Sequence, residues 1–295
     1  MKKRNMGLAY GIIAAISYGT NPLFALPLYA GGIGVNSVLF YRYLFAVLIY
    51  GLWLKFVKKT SFKVKKEAVL PLFFLGILFS LSSLLLFEGF KLIDAGIACT
   101  ILFTYPVIVA LIMGIFFGEK VNKTLIFSLI LTSLGIVLLC KYDSALRINL
   151  NGVFFVLVSS FCYALYMVGV QKIKSLRHIK PNLLSFYVML FGLLVYIYNL
   201  KFCTELQILS SPFLWLCAAA LAVIPTILSI ETITYAIKLI GSTKTALLGS
   251  FEPLTALFIG IVIFNETLNA RIVFGVILIL LGVGLVVMNS PAKKA

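Results

Sequence analysis

Acidic residues are scarce: the chain carries nine Asp and Glu in 295 residues, together with a single histidine. With so few carboxylates and imidazoles, no cluster has metal-ligand spacing, and neither a metal nor any other cofactor is expected. A GxxxxGK[ST] phosphate loop is absent, which excludes an ATP-driven motor in this chain. An HExxH pair and a GxSxG nucleophile elbow are absent too, so hydrolase chemistry has no support. The five cysteines, Cys99, Cys140, Cys162, Cys203 and Cys217, show no paired spacing and read as small apolar fillers. The one histidine, His178, stands in a basic loop. Charge of either sign is thin, at 12% of residues.

Apolar residues make up 62% of the chain, with a mean hydropathy of +1.12. A soluble domain could not hide that much apolar surface. Uninterrupted runs of about 20 residues, long enough to cross a bilayer, recur along the chain. They predict ten spans, at 7–30, 35–57, 68–90, 94–117, 124–141, 150–171, 182–200, 211–236, 243–264 and 271–288. The remainder is short loops, leaving no room for a soluble domain. The basic start "MKKR" precedes a run too long for a secretory h-region, so an uncleaved first helix is expected.

A net charge of +16 invites a nucleic-acid partner, but its distribution follows membrane topology. With ten spans, 19 of the 25 Lys and Arg fall on the side of the N-terminus; Arg42, Lys91, Lys141, Arg147, Lys201 and Arg271 do not. The positive-inside rule then puts both termini in the cytoplasm and the protein in the cytoplasmic (inner) membrane. The partners expected are the lipid bilayer and a small-molecule substrate, with protons if transport is coupled; a monomer suffices.

The chain also repeats itself. Pro106, Glu119, Asn122 and Gly135 have counterparts in Pro253, Glu266, Asn269 and Gly282, all 147 residues further on. "KLIDAG" at 91–96 aligns with "KLIGST" at 238–243 at the same spacing. Such a period predicts duplication. The halves, 1–145 and 146–295, then hold five spans each. An odd number makes the second half enter the membrane from the opposite side. Two inverted repeats place a site near the midplane and suit alternating access.

Ten spans in two halves, a basic N-terminus, a proline in the fourth and ninth spans and "GE" or "NE" after each resemble the drug/metabolite transporter superfamily, in its EamA-type branch. The resemblance covers essentially the whole chain. It implies export of small metabolites or amino acids through a central cavity, with the fifth and tenth spans peripheral. It does not specify a substrate.

Ionisable groups inside a span cost about 2.5–3.5 kcal/mol at its centre, so they are the first functional candidates. Arg42 lies about 10 Å from one end of span two, and Glu88 lies at a comparable depth in span three. The two form a candidate gate or structural ion pair. In span eight, Glu231, Thr234 and Tyr235 share a helical face. Glu252 stands near mid-membrane in span nine. A carboxyl there could carry a proton across or hold a substrate amino group. The repeat puts Tyr105 opposite Glu252, so the duplicated frame carries an unduplicated acid. Prolines free backbone carbonyls: Pro106 that of Leu102, Pro225 that of Leu221, Pro253 that of Gly249. Such breaks are tolerated in lipid only against protein or a wet cavity. In span one, Tyr18, Thr20 and Asn21 precede Pro22, and span six supplies Tyr163 and Tyr166. As a set these side chains predict a cavity of hydroxyl and aromatic surface.

The sequence therefore predicts an all-α membrane protein that exports small amphipathic metabolites, foremost amino acids, by proton-coupled or facilitative alternating access, and not an enzyme. An exchanger of sugar phosphates or nucleotide-linked sugars is the alternative. It would need cationic groups in the cavity, for which Arg42 and Lys244 are the candidates. A lipid-processing membrane enzyme would need an acidic or histidine cluster at one interface, which the sequence lacks.

Overall fold

A computed structural model of the chain describes residues 2–93, 98, 101–119, 122–139, 149–264 and 270–288. Cys99, Cys140, Glu266, Asn269 and the expected boundary at 145/146 lie outside these residues. The described residues form helices and short connections, without strands.

The first span is two helices, α1 (Lys2–Gly19) and α2 (Asn21–Ala30). Pro22, in the first turn of α2, cannot donate to the ladder. The chain turns at Thr20, whose hydroxyl donates to the Ser17 carbonyl at 2.7 Å. Next come α3 (Val35–Leu52), which runs on as a π-helical turn over Trp53–Val57, and α4 (Lys66–Phe90). They are followed by α5 (Tyr105–Phe117), α6 (Lys123–Leu139), α7 (Leu150–Lys172) and α8 (Pro181–Asn199). The eighth span joins α9 (Pro212–Ala222), a π-helical segment Val223–Leu228 around Pro225, and α10 (Ser229–Ile240). The ninth is broken into α11 (Ser242–Leu248) and α12 (Phe251–Phe264), and α13 (Ala270–Met288) closes the order.

Among the described residues, seven helical runs are long and apolar enough to cross a membrane. Three further apolar stretches, Tyr105–Phe117, Lys123–Leu138 and Ala270–Leu285, are shorter and stand where the sequence predicts the fourth, fifth and tenth spans. Large apolar side chains such as Phe74, Leu111, Phe127, Phe154, Leu216 and Phe274 face outward along these helices. Exposed apolar surface on this scale has lipid as its fitting solvent. The chain is an integral membrane protein.

Between helices, α1 lies along α10 and touches α12, while α4 lies along α7 and α8. Helix α3 packs on α8 and α9, α5 on α7 and α11, and α6 on α13. Close approach depends on glycine. A Cβ on Gly135 would meet the Gly275 carbonyl at 2.7 Å and the Ile279 side chain at 2.7 Å; one on Gly282 would meet Thr132 at 2.7 Å and the Ser128 carbonyl at 3.0 Å. At the other contact, Gly7 fits against Leu239 and Ile240, and Gly152 against Leu92 and Ile93. Small residues let helix backbones approach where lipid supplies no hydrophobic drive between helices.

Candidate functional site

The helix breaks are where the site forms, because each frees a carbonyl that something must satisfy. At Pro106, Ser160 of α7 donates its hydroxyl to the freed Leu102 carbonyl at 3.1 Å and shares a hydrogen bond with Thr104 at 2.8 Å. At Pro225, the hydroxyl of the next residue, Thr226, reaches back to the Leu221 carbonyl at 2.8 Å. At Pro253, the freed Gly249 carbonyl takes the Glu252 amide at 2.9 Å, the last of three tight turns that replace the α-helical ladder over 246–252. The break fixes Glu252 in the first turn of α12.

Around this last break lies a cavity of about 10 Å³, enough for roughly one water. Tyr18, Tyr105, Tyr163 and Glu252 give its polar and aromatic wall, with Ser229 and Thr245 adding hydroxyls. Gly11, Ala14, Ala15 and Gly249 leave it room. A Cβ on Gly249 would stand 1.7 Å from the Tyr105 hydroxyl, so only glycine admits that ring. Tyr105 in turn donates to the Ala246 carbonyl at 3.2 Å. Its ring meets Tyr163 edge-on with centroids 4.8 Å apart, and Tyr163 stacks on Tyr166 behind it at 6.1 Å. Helix α1 closes the wall at Gly19, where a Cβ would come within 2.6 Å of the Glu252 carbonyl.

The sequence candidates divide into groups. Tyr18, Tyr105, Tyr163 and Glu252 meet at the cavity, and Tyr166 supports Tyr163. Glu231 stands elsewhere, beside the Tyr50 hydroxyl and within electrostatic reach of Lys58. Tyr235, one turn on, stacks against Tyr10 at 5.1 Å. Asn21 opens α2, its side-chain oxygen buried without a partner among the described residues.

The expected pairing of Arg42 with Glu88 is not formed. Glu88, half-buried, pairs at 2.8 Å with the exposed Lys91, the residue that follows the end of its helix. Arg42 is fully buried and turns to the π-helical segment instead. Its Nε donates to Thr226 Oγ1 at 2.5 Å and its Nη2 to the Pro225 carbonyl at 3.1 Å. A broken helix offers the guanidinium fixed acceptors in the protein interior, whereas Glu88 already has a local cation. Arg42 also lies over the Tyr18 ring, 5.5 Å from its centroid, and within electrostatic reach of Glu252. Sequence reasoning missed Ser160 and Thr226, although each freed carbonyl called for a donor and Thr226 directly follows Pro225. Among the described residues, no group of three or more His, Cys, Asp or Glu could hold a metal ion.

Comparison with known proteins agrees with this architecture. The EamA-like transporter family matches the chain twice, over residues 5–140 and 150–288. The chain belongs to the EamA-like transporter family. A relative from Archaeoglobus fulgidus, described as an uncharacterized transporter, is 27% identical over 191 residues, covering 64% of this chain and 66% of that protein. The chain thus spans just under two thirds of that relative. A crystal structure of another protein shares the fold with a TM-score of 0.82 at 14% identity, covering 99% of this chain and 100% of that one. This EamA-like chain is accordingly an integral membrane protein of a transporter family.

Proposed function

We propose that this EamA-like protein is a secondary transporter of the cytoplasmic membrane that exports small amphipathic metabolites, foremost amino acids and related compounds, by alternating access. Ten spans form two inverted halves, 1–145 and 146–295, with both termini in the cytoplasm. The observation that carries the reading is the cavity itself. Its walls come from both proposed halves, with Tyr18 and Tyr105 from the first and Tyr163, Ser229, Thr245 and Glu252 from the second. The reciprocal glycine contacts support the repeat. Gly135 meets 275 and 279, while its counterpart Gly282 meets 128 and 132, which are the same positions 147 residues earlier. The contacts of Gly7 and Gly152 repeat this relation, 239 and 240 against 92 and 93.

Glu252 is the central acid. It either carries a proton between the two faces or holds the amino group of the solute. Flux in proteoliposomes of wild type and Glu252→Gln separates these roles. Proton coupling predicts loss of pH-driven accumulation with counterflow exchange retained. Amine holding predicts that both weaken together through a raised KM. Wild-type behaviour in both assays, at normal expression, would remove Glu252 from the transport site.

The sugar-phosphate alternative draws on one observation, the burial of Arg42 within electrostatic reach of Glu252. The acid beside it favours a solute that is not purely anionic.

A further inference from the structure

Arg42 has more hydrogen-bonding capacity than its surroundings use. Guanidinium carries five N–H donors in a planar fork. Its Nε and Nη2 are spent on Thr226 and Pro225, but Nη1 is buried without a partner among the described residues. The hydroxyls of Tyr29 and Tyr43 are buried within electrostatic reach of Arg42 and make no hydrogen bond of good geometry among the described residues, although Tyr43 lies beside Ser80, Ser83 and Tyr196. All three atoms can donate a proton, and buried donors left unmatched are costly. A carboxylate accepts about four hydrogen bonds and matches the guanidinium charge, so it is the ligand that donors of this kind suit.

The position of this group relative to the cavity defines the rest of the ligand. Tyr18 is the shared wall: its ring lies under the Arg42 guanidinium and also lines the cavity with Glu252. No hydrogen bond or ion pair reaches the Glu252 carboxyl among the described residues, so it is available to a cation. Donors of positive charge and an acceptor of negative charge beside the same tyrosine, within electrostatic reach of each other, suit a solute with both an anionic and a cationic end.

We propose that Arg42 is the anion-binding residue of the transport site, taking the carboxylate of an amino acid on Nη1, with Tyr29 and Tyr43 assisting and Glu252 taking the ammonium. The inference rests on the transporter reading and narrows its substrate to zwitterions. Arg42 thereby links the solute to the π-helical segment of the eighth span. Withdrawal or arrival of a carboxylate acts on the same guanidinium that braces Pro225 and Thr226.

The test uses wild-type protein in liposomes, because Arg42 variants could fail to fold once the brace at Pro225 is lost. Release of three loads is measured, with leak from protein-free liposomes subtracted: a pool of neutral α-amino acids, the matching pool of α-carboxamides, and a hexose phosphate. Amino acids released at least tenfold faster than carboxamides and hexose phosphate are the expected result. In Arg42→Gln, where it folds, the preference over carboxamides collapses. Carboxamides released as fast as amino acids would overturn the role of Arg42 and leave the exporter reading standing. Preference for hexose phosphate would overturn the zwitterion. Release of none of the three loads would overturn both the inference and the reading on which it rests.

Discussion

Arg42 shows how a residue's role follows from what surrounds it. Depth along a span matched it to Glu88, but depth does not fix which way a side chain turns. A rigid acceptor pair at the Pro225 break, Thr226 Oγ1 and the Pro225 carbonyl, holds the guanidinium in the protein interior, while Lys91 neutralises Glu88. Double-mutant cycles distinguish the two arrangements. Arg42→Met and Thr226→Val should couple by about 1 kcal/mol or more in thermal or denaturant stability, since they share a charged hydrogen bond. Arg42→Met and Glu88→Gln should add within about 0.5 kcal/mol. Strong coupling in the second cycle would restore the ion pair. The aromatic and acidic candidates were more legible, because tyrosines, a carboxyl and prolines in apolar runs are conspicuous by type. Four of them surround one cavity. Glu231 and Tyr235 share a face with each other, yet that face meets Tyr50 and Tyr10, which only the packing of α1 along α10 and the approach of Tyr50 from α3 reveal.

At the scale of the element, proline dictates where helices break, and a hydroxyl or a tight turn decides whether the break is tolerated. The freed carbonyls were legible from the sequence. Their partners were less so, because Ser160 reaches Leu102 across 58 residues of chain. Ser160→Ala should cost about 0.6 kcal/mol, the average for hydrogen bonds between membrane helices, and no more than about 1.7 kcal/mol. Urea or thermal unfolding in detergent measures this, and an unchanged midpoint would mean that the Leu102 carbonyl is satisfied some other way. Span lengths were read well for seven runs. Over the described residues, α5, α6 and α13 are shorter than the spans expected there.

For the whole molecule, family membership was legible because the repeat, the span count and the charge distribution act together. The proposed inversion has a direct consequence for the loops. Lys123 and Ala270 are 147 residues apart and both exposed at helix starts, so inverted halves put them on opposite sides of the membrane. In a cysteine-free background, an impermeant thiol reagent added outside should label Ala270→Cys and leave Lys123→Cys untouched until the membrane is opened. Labelling of both from outside would mean that the halves are not inverted.

The central claim is that the cavity beside Glu252 is a transport site open to each side in turn. In the conformation described it has room for about one water, so a solute enters only when the surrounding helices part. Ala15, buried on α1 in the cavity wall, is the position to probe. In liposomes of defined orientation, Ala15→Cys is treated with an impermeant thiol reagent from one face and then, in a separate sample, from the other. Modification from each face, slowed from both by the amino-acid pool, is the result predicted. Modification from one face alone, at a rate the solutes leave unchanged, would contradict it.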